Sequence, residues 1–268
     1  MKAYVLVREQ PFYRRDAFVE GLRAVGIQTE VKQPTRLDRE TVIVIWNRYS
    51  SNHDLANQVE RAGGTVIVAE NGYIGHGGST PKFDVHPAGP KPEHYYAVAR
   101  RFHNDATLSV LGATPRFPAL GLELKPWRTG GDYVLVCPNR SFGVPGRTMP
   151  PDWAEQAAAR IRKKTGLPVR IRTHPGNDKP KRELAEDLAG ARAVVVWTSS
   201  CGVHSLAAGI PTFCEAPYWI LKSAASLTRV DSPDLPDRQS HFELMSWSQF
   251  TIAEIQSGLP FRHLLPVS

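Results

Sequence analysis

The runs TVIVIW (41–46) and TVIVAE (65–70) constrain the fold of this chain most. Both are rich in β-branched residues and apolar at nearly every position, the pattern of a strand buried on both faces rather than one that alternates between core and water. Between them, HDLANQVERAGG carries apolar residues at helical spacing and closes on Gly63 and Gly64. Strands joined through a helix run parallel, so this segment predicts a parallel sheet covered on both sides. AYVLV (3–7), a helix over 14–25 stopped by Gly26, and IQTEV belong to the same series.

A second series begins at DYVLVCPNR (132–140). A helix over 153–165 follows, with Asp152 and Glu155 in capping-box spacing and Gly166 as its stop. Then come LPVRIRTHPG, a polar helix KRELAEDLAG, the strand ARAVVVW, the turn TSSCG, a short helix VHSLAAG and the strand IPTFCEAP. Residues 71–130 are crowded with Gly, Pro and His and read as a long loop followed by an interdomain linker, GATPRFPALGLELKPWRTGG. The 268 residues suit two domains. The expected boundaries are 1–125, 126–245, and a final helix over 246–268 returning to the first domain. The fold class is α/β, with two Rossmann-like doubly wound domains facing a cleft and ligands beyond the carboxyl ends of the strands.

Lys and Arg number 33 against 26 Asp and Glu, a formal charge of +7 that suits polyanionic or phosphorylated partners and equally a solvated basic surface. Cys137, Cys201 and Cys214 have neither CxxC nor zinc spacing and sit beside apolar runs, as buried free thiols of a reducing cytoplasm do. No stretch reaches the roughly 18 apolar residues of a membrane span, and the apolar run at the N-terminus is too short for a signal peptide. HExxH, GxSxG, GxGxxG, the P-loop and kinase signatures are all missing. No obligatory metal is expected.

Three strand ends of the second series gather polar residues. CPNRSFG offers Asn139, Arg140, Ser141 and Gly143; RTHPG offers Arg172 and His174, the latter held extended by the proline after it. TSSCG offers Thr198, Ser199, Ser200, Cys201 and Gly202 at a helix start, where unpaired backbone donors and the helix dipole bind anions. Plain N-capping uses the same residue types. Together the three ends predict a phosphate or diphosphate pocket. In the first series, Trp46, Asn47, Arg48, Tyr49, Asn71 and Tyr73 follow buried strands and offer the stacking faces and amides that a sugar or nucleobase needs. Glu70, read as the only carboxylate at a strand end, is the candidate general base, with Asp16 behind it.

RTHPG followed by VVVWTSSCGVHSLAAGIPTF resembles the HP and Ser-rich motifs of bacterial capsule-type GT-B glycosyltransferases, including the Kdo and sialic acid transferases that use CMP-sugars. The likeness covers about residues 132–215. It implies that His174, Thr198, Ser199 and Ser200 bind the donor's phosphate. His204 stands where many GT-B enzymes carry a ribose-binding Glu, which leaves the nucleotide open: a UDP-sugar is favoured and a CMP-sugar is the alternative. The first half is similar to small phage-encoded transferases of this type, which implies a host-cytoplasmic enzyme glycosylating a hydroxymethylated pyrimidine in double-stranded DNA, flipped to stack on Trp46 or Tyr73. A capsule or lipopolysaccharide sugar is the alternative acceptor. A non-catalytic nucleic-acid-binding protein and a nucleotide-sugar epimerase are the alternatives of other classes.

Overall fold

The computed structural model describes residues 1–10, 13–74, 95–174, 182–221 and 233–265. The chain divides into two units: Met1–Leu120 with Glu243–Ser268, and Gly121–Phe242. Each has its own sheet.

The first unit contains β1 (Lys2–Val5), α1 (Arg15–Ala24), β2 (Gln28–Glu30), β3 (Thr41–Trp46), α2 (Ser51–Arg61), β4 (Thr65–Asn71) and β5 (Tyr95–Arg100). Its sheet runs β10-β5-β4-β3-β1-β2, β10 being Gln249–Thr251. β2, β1, β3 and β4 are parallel, as their unbroken apolar character dictates. The other edge departs from the expected parallel sheet: β5 runs antiparallel to β4, and β10 antiparallel to β5. β5 lies inside what the sequence presents as loop and linker, because YYAVAR is a single short strand amid glycines, prolines and histidines. The loop segment 75–94 falls outside the described residues.

The expected C-terminal helix over 246–268 is also corrected. The segment begins within α6 (Arg238–Ser246), pairs as β10, and only then winds into α7 (Ile252–Gln256) and α8 (Leu259–Leu264). Thr251 and Glu254 form a reciprocal capping box that starts α7 where the strand stops. Phe18 and Leu22 of α1, Ile255 of α7 and Phe261 of α8 are buried together on one face of the sheet. The approach is close enough that a Cβ on Gly21 would lie 1.8 Å from the Ile255 carbonyl oxygen.

The second unit contains β6 (Tyr133–Cys137), α3 (Trp153–Thr165), β7 (Val169–Ile171), α4 (Leu184–Ala189), β8 (Ala191–Val196), α5 (Cys201–Ala207) and β9 (Thr212–Cys214). Its sheet, β7-β6-β8-β9, is parallel throughout. Trp153, Ala157 and Ile161 pack α3 on Val134, Val136, Val195 and Phe213. Gly166 ends α3 in the left-handed region, whereas the expected capping box is not made: the Asp152 side chain accepts from Gln156 Nε2 instead of capping the helix.

Candidate functional site

In the second unit the chain moves from β6 outward to β7, then returns across β6 to β8 and continues to β9. Connections therefore leave the carboxyl ends of β6 and β8 in opposite directions, which opens a crevice between those two ends. Asn139 and Thr198 close its floor: Asn139 Nδ2 donates to Thr198 Oγ1 at 3.1 Å, and the Thr198 N–H donates to Asn139 Oδ1 at 3.0 Å. Beside them, at the β7 end, stands His174. Partial desolvation and the Arg140 guanidinium both hold its imidazole below the usual histidine range, so these two groups share one electrostatic neighbourhood. Ser141 is exposed next to Arg140, and Gly143 takes a positive φ in the same loop. The Pro-Gly-Asn that follows His174 lies outside the described residues.

Two expectations at this edge are corrected. Arg172 is not a free cation, since it pairs with Asp187 of α4, a residue 6% exposed. The start of α5 does not present a row of unpaired donors either. The Cys201 N–H donates to Ser199 Oγ at 3.3 Å, Gly202 N–H to the Ser199 carbonyl, and the N–H groups of Val203 and His204 to the Ser200 carbonyl. Ser199 thus acts as the cap, while the Ser200 side chain is exposed and makes no capping bond. Gly202 is required by close packing, because a Cβ there would meet the Trp219 ring at 2.6 Å. His204 lies one turn into α5, half-buried.

Sequence reasoning missed the supports of this edge. Trp197 Nε1 and the Tyr218 hydroxyl both donate to the Arg147 carbonyl, and the Arg147 guanidinium lies 3.5 Å from the Tyr218 ring centroid, tying the loop after β6 to the segment after β9. Glu215 directly follows β9, so Glu70 is not the only carboxylate at a strand end. Glu215 accepts from Trp153 Nε1 at 2.7 Å and from Arg160 at 2.5 Å. The run EAPYW after an apolar strand was the available signal.

In the first unit the corresponding crevice lies between β1 and β3, where the strand order reverses. Three non-glycine residues there have positive φ: Arg14 at 49°, Asn47 at 53° and Ser50 at 51°. Such backbone is costly and concentrates at working sites. Asn52 Nδ2 holds the turn by donating to the carbonyls of Trp46 and Asn47 at 2.9 and 3.3 Å. Asn47 is half-buried and Tyr49 is 48% exposed. One strand over, Glu70 and Asn71 end β4, and Glu70 Oε1 accepts from the Asn71 N–H at 3.0 Å. Asp16, exposed at the start of α1, accepts three contacts from Arg14, which hold its carboxyl below the usual range.

Three proposed acceptor contacts are corrected by burial. Trp46 packs edge-on against Tyr13 and Tyr96, with ring centroids 4.7 and 6.0 Å away. Tyr73 is 6% exposed; its hydroxyl accepts from the Asn104 N–H, and burial raises the phenol above its usual range. Arg48 donates to both Glu60 oxygens at 2.7 Å, to Asn57 at 2.8 Å and to the Arg101 carbonyl at 3.0 Å, with its guanidinium over Phe102. Neither ring offers a stacking face, and Arg48 holds the turn instead of a ligand.

Among the described residues no group of three His, Cys, Asp or Glu side chains is placed to hold a metal ion, and no helix is long and apolar enough to cross a membrane. No family model matches the chain. No curated protein matches it either. Solved structures do. The chain is similar to Thermosulfurimonas dismutans KpsC, beta Kdo 2,7 transferase, at 11% identity over 98% of this chain and 100% of that one, with a TM-score of 0.56. It is also similar to T. dismutans KpsC, beta Kdo 2,4 transferase, at 12% identity over 97% and 98%, with a TM-score of 0.57. At such identities the likeness is one of fold, and the fold is a two-unit, Rossmann-like α/β architecture of the GT-B type.

Proposed function

We propose that this chain is a glycosyltransferase that moves a sugar from a nucleotide-sugar to a saccharide hydroxyl, as in capsule or lipopolysaccharide assembly. One observation carries the reading: the crevice between the β6 and β8 ends, floored by the Asn139–Thr198 pair and flanked by Arg140 and His174. Exposed donors and a cation at a strand-order reversal suit the phosphate of a sugar nucleotide. In this reading Arg140, His174 and the Ser200 hydroxyl stabilise the charge that develops on the departing nucleotide. Glu70 takes the proton of the acceptor hydroxyl, and Asp16 serves less well because Arg14 lowers its basicity.

The likeness to Kdo transferase structures favours a saccharide acceptor over the modified DNA base that the sequence first suggests, and the resemblance of the RTHPG and TSSCG motifs to transferases that use CMP-sugars makes CMP the first nucleotide to test beside UDP. The burial of Trp46 and Tyr73 weighs the same way, since a flipped base would lose its stacking partners.

Calorimetry with CMP and UDP, followed by transfer assays with the corresponding sugar nucleotides, tests the proposal. CMP is expected to bind, Glu70→Gln is expected to retain that binding and to lose at least about a hundredfold in turnover. No binding of either nucleotide at millimolar concentration would overturn it, and a steep loss of DNA association with salt would restore the DNA reading.

A further inference from the structure

Of the phenylalanine, tyrosine and tryptophan side chains among the described residues, only Tyr49, at 48%, and Phe142, at 69%, are exposed. Each lies on the loop that leaves a strand at its own unit's crevice, Tyr49 after β3 and Phe142 after β6. A single exposed apolar residue is ordinary on a protein surface. Phe142, however, stands on a loop pinned at both ends. The Asn139 N–H donates to Met149 Sδ at 3.3 Å, and the Asn139 side chain exchanges two bonds with Thr198. The Val144 carbonyl accepts from the Arg147 N–H at 2.9 Å, the Thr148 N–H at 3.0 Å and Thr148 Oγ1 at 2.9 Å. The Arg147 carbonyl in turn accepts from Trp197 and Tyr218. Between these anchors the Phe142 N–H donates to the Arg140 carbonyl at 2.8 Å, a three-residue turn centred on Ser141. Gly143 follows in the left-handed region and packs so closely that a Cβ there would lie 2.9 Å from Thr148 Oγ1. The chain doubles back immediately after Phe142, which leaves that ring at the tip of a loop fixed by its own bonds.

We propose that Phe142 is a ligand-contacting residue of the second unit's crevice, where its ring stacks on the pyrimidine base of a bound nucleotide. The assignment deepens the function proposed above and rests on it. Three residues separate Phe142 from Asn139, so the chain can carry it at most about 11 Å from the floor that Asn139 and Thr198 form, and the turn at Ser141 shortens that reach. The other aromatic side chains at this edge are occupied. Half-buried Trp197 meets Trp153 edge-on, with ring centroids 5.8 Å apart, and Tyr218 has the Arg147 guanidinium 3.5 Å from its centroid. Trp219 is 5% exposed and packs on Gly202. Phe142 is therefore the exposed aromatic face at this edge among the described residues.

The chemistry of the ring selects its occupant. A phenyl group has neither donor nor acceptor, so it adds nothing to a phosphate, whereas a flat base matches its face and both surfaces leave water together. For the same reason the ring reads the face of a base and not its edge. It raises the affinity of cytosine and uracil nucleotides alike, and it distinguishes a nucleotide from a sugar phosphate that carries no base. The pinned loop presents the ring before the ligand arrives, which limits the ordering cost of binding.

Calorimetry on the full chain with CMP, UMP and ribose 5-phosphate tests the proposal. Phe142→Ala is expected to lose about tenfold in affinity for CMP and for UMP, with ribose 5-phosphate unaffected. Phe142→Leu, apolar but without a π-face, is expected to lose most of the same affinity, and Phe142→Tyr to keep it. In the wild-type protein the base protons of bound CMP are expected to move upfield in NMR spectra under the ring current of Phe142, a measurement that stands whether or not any variant folds. Unchanged CMP affinity in Phe142→Ala overturns the proposal, and so does an equal loss for ribose 5-phosphate, which marks a support of the loop instead of a base contact. Unchanged CMP affinity with slower sugar transfer overturns it as well and turns the ring toward the sugar. If the wild-type protein binds neither CMP nor UMP, the transferase reading falls and this assignment with it, whereas tight binding that ignores the ring removes this assignment alone.

Discussion

His174 and Glu60 show how local environment sets what an ionisable residue contributes. His174 has its imidazole below the usual 6.5 because desolvation and Arg140 both oppose a second positive charge. The folded state therefore binds that proton less readily than the unfolded chain, and stability declines as pH falls below 6.5. A phosphate beside the ring reverses the penalty and draws the proton back. Nucleotide affinity is expected to rise by up to about tenfold between pH 8 and 6, and the His174→Ala protein is expected to give a flat profile in the same titration. Glu60 is shifted by the opposite balance. Burial resists its ionisation, and the two bonds from Arg48, with help from Arg101, outweigh that and lower the carboxyl below 4.5. The stabilisation is complete above pH 4.5 and is lost as pH falls through the lower, folded-state value. With the Arg48 side chain 3% exposed, Glu60→Gln strands a buried cation. A loss of about 2–3 kcal/mol is expected in urea unfolding at neutral pH, shrinking as the pH falls below 4.5.

At the scale of elements, the helices and central strands could be read from the sequence because each is specified by its own pattern. β3, β4 and β8 are apolar runs, and α3 carries a strong stop at Gly166. β5 and β10 could not be read in this way, being short strands defined mainly by one another: Phe250 pairs with Tyr96 across 154 residues of sequence. The site divides similarly. The strand ends holding Asn139, His174 and Thr198 are visible as motifs, but the sequence does not reveal that Arg172 is neutralised by Asp187 or that the α5 donors are used internally. Those outcomes depend on partners supplied by other elements. Arg116 is the plainest case of such a partner. Its guanidinium donates to both Glu254 oxygens at 2.5 and 2.9 Å, to the carbonyls of Ser246 and Gln249, and lies over Trp247 and Phe250. Arg116→Ala removes every bond joining the segment before the unit boundary to β10 and α7 through this side chain. A cost of about 3 kcal/mol is expected, with faster amide exchange at Phe250 and Thr251 as the direct readout.

At the scale of the molecule, the first unit is discontinuous and the second is a single insertion between Leu120 and Glu243. β10 donates the far edge of a six-stranded sheet, and α7 and α8 cover α1. Truncation after Phe242 therefore removes an edge strand and part of a core, including Phe250, Ile255 and Phe261. Hydrogen exchange of the truncated chain is expected to show lost protection across β5 and α1 and retained protection across β6 and β8. Uniform loss in both sheets would show that the two units do not hold their structure separately.

The edge that β10 closes also sets an order of events on the ribosome. When β5 emerges, its outer row of amides and carbonyls has no partner, and none arrives until residues 249–251 have been made, after the whole second unit. At typical rates of roughly 5–20 residues per second, the unfinished edge stays open for several seconds or more. During that interval it can accept any extended segment nearby, including the edge of another nascent copy. Slowing synthesis between residues 121 and 242 is therefore expected to raise aggregation, whereas a peptide spanning β10, supplied in trans, shields the same edge.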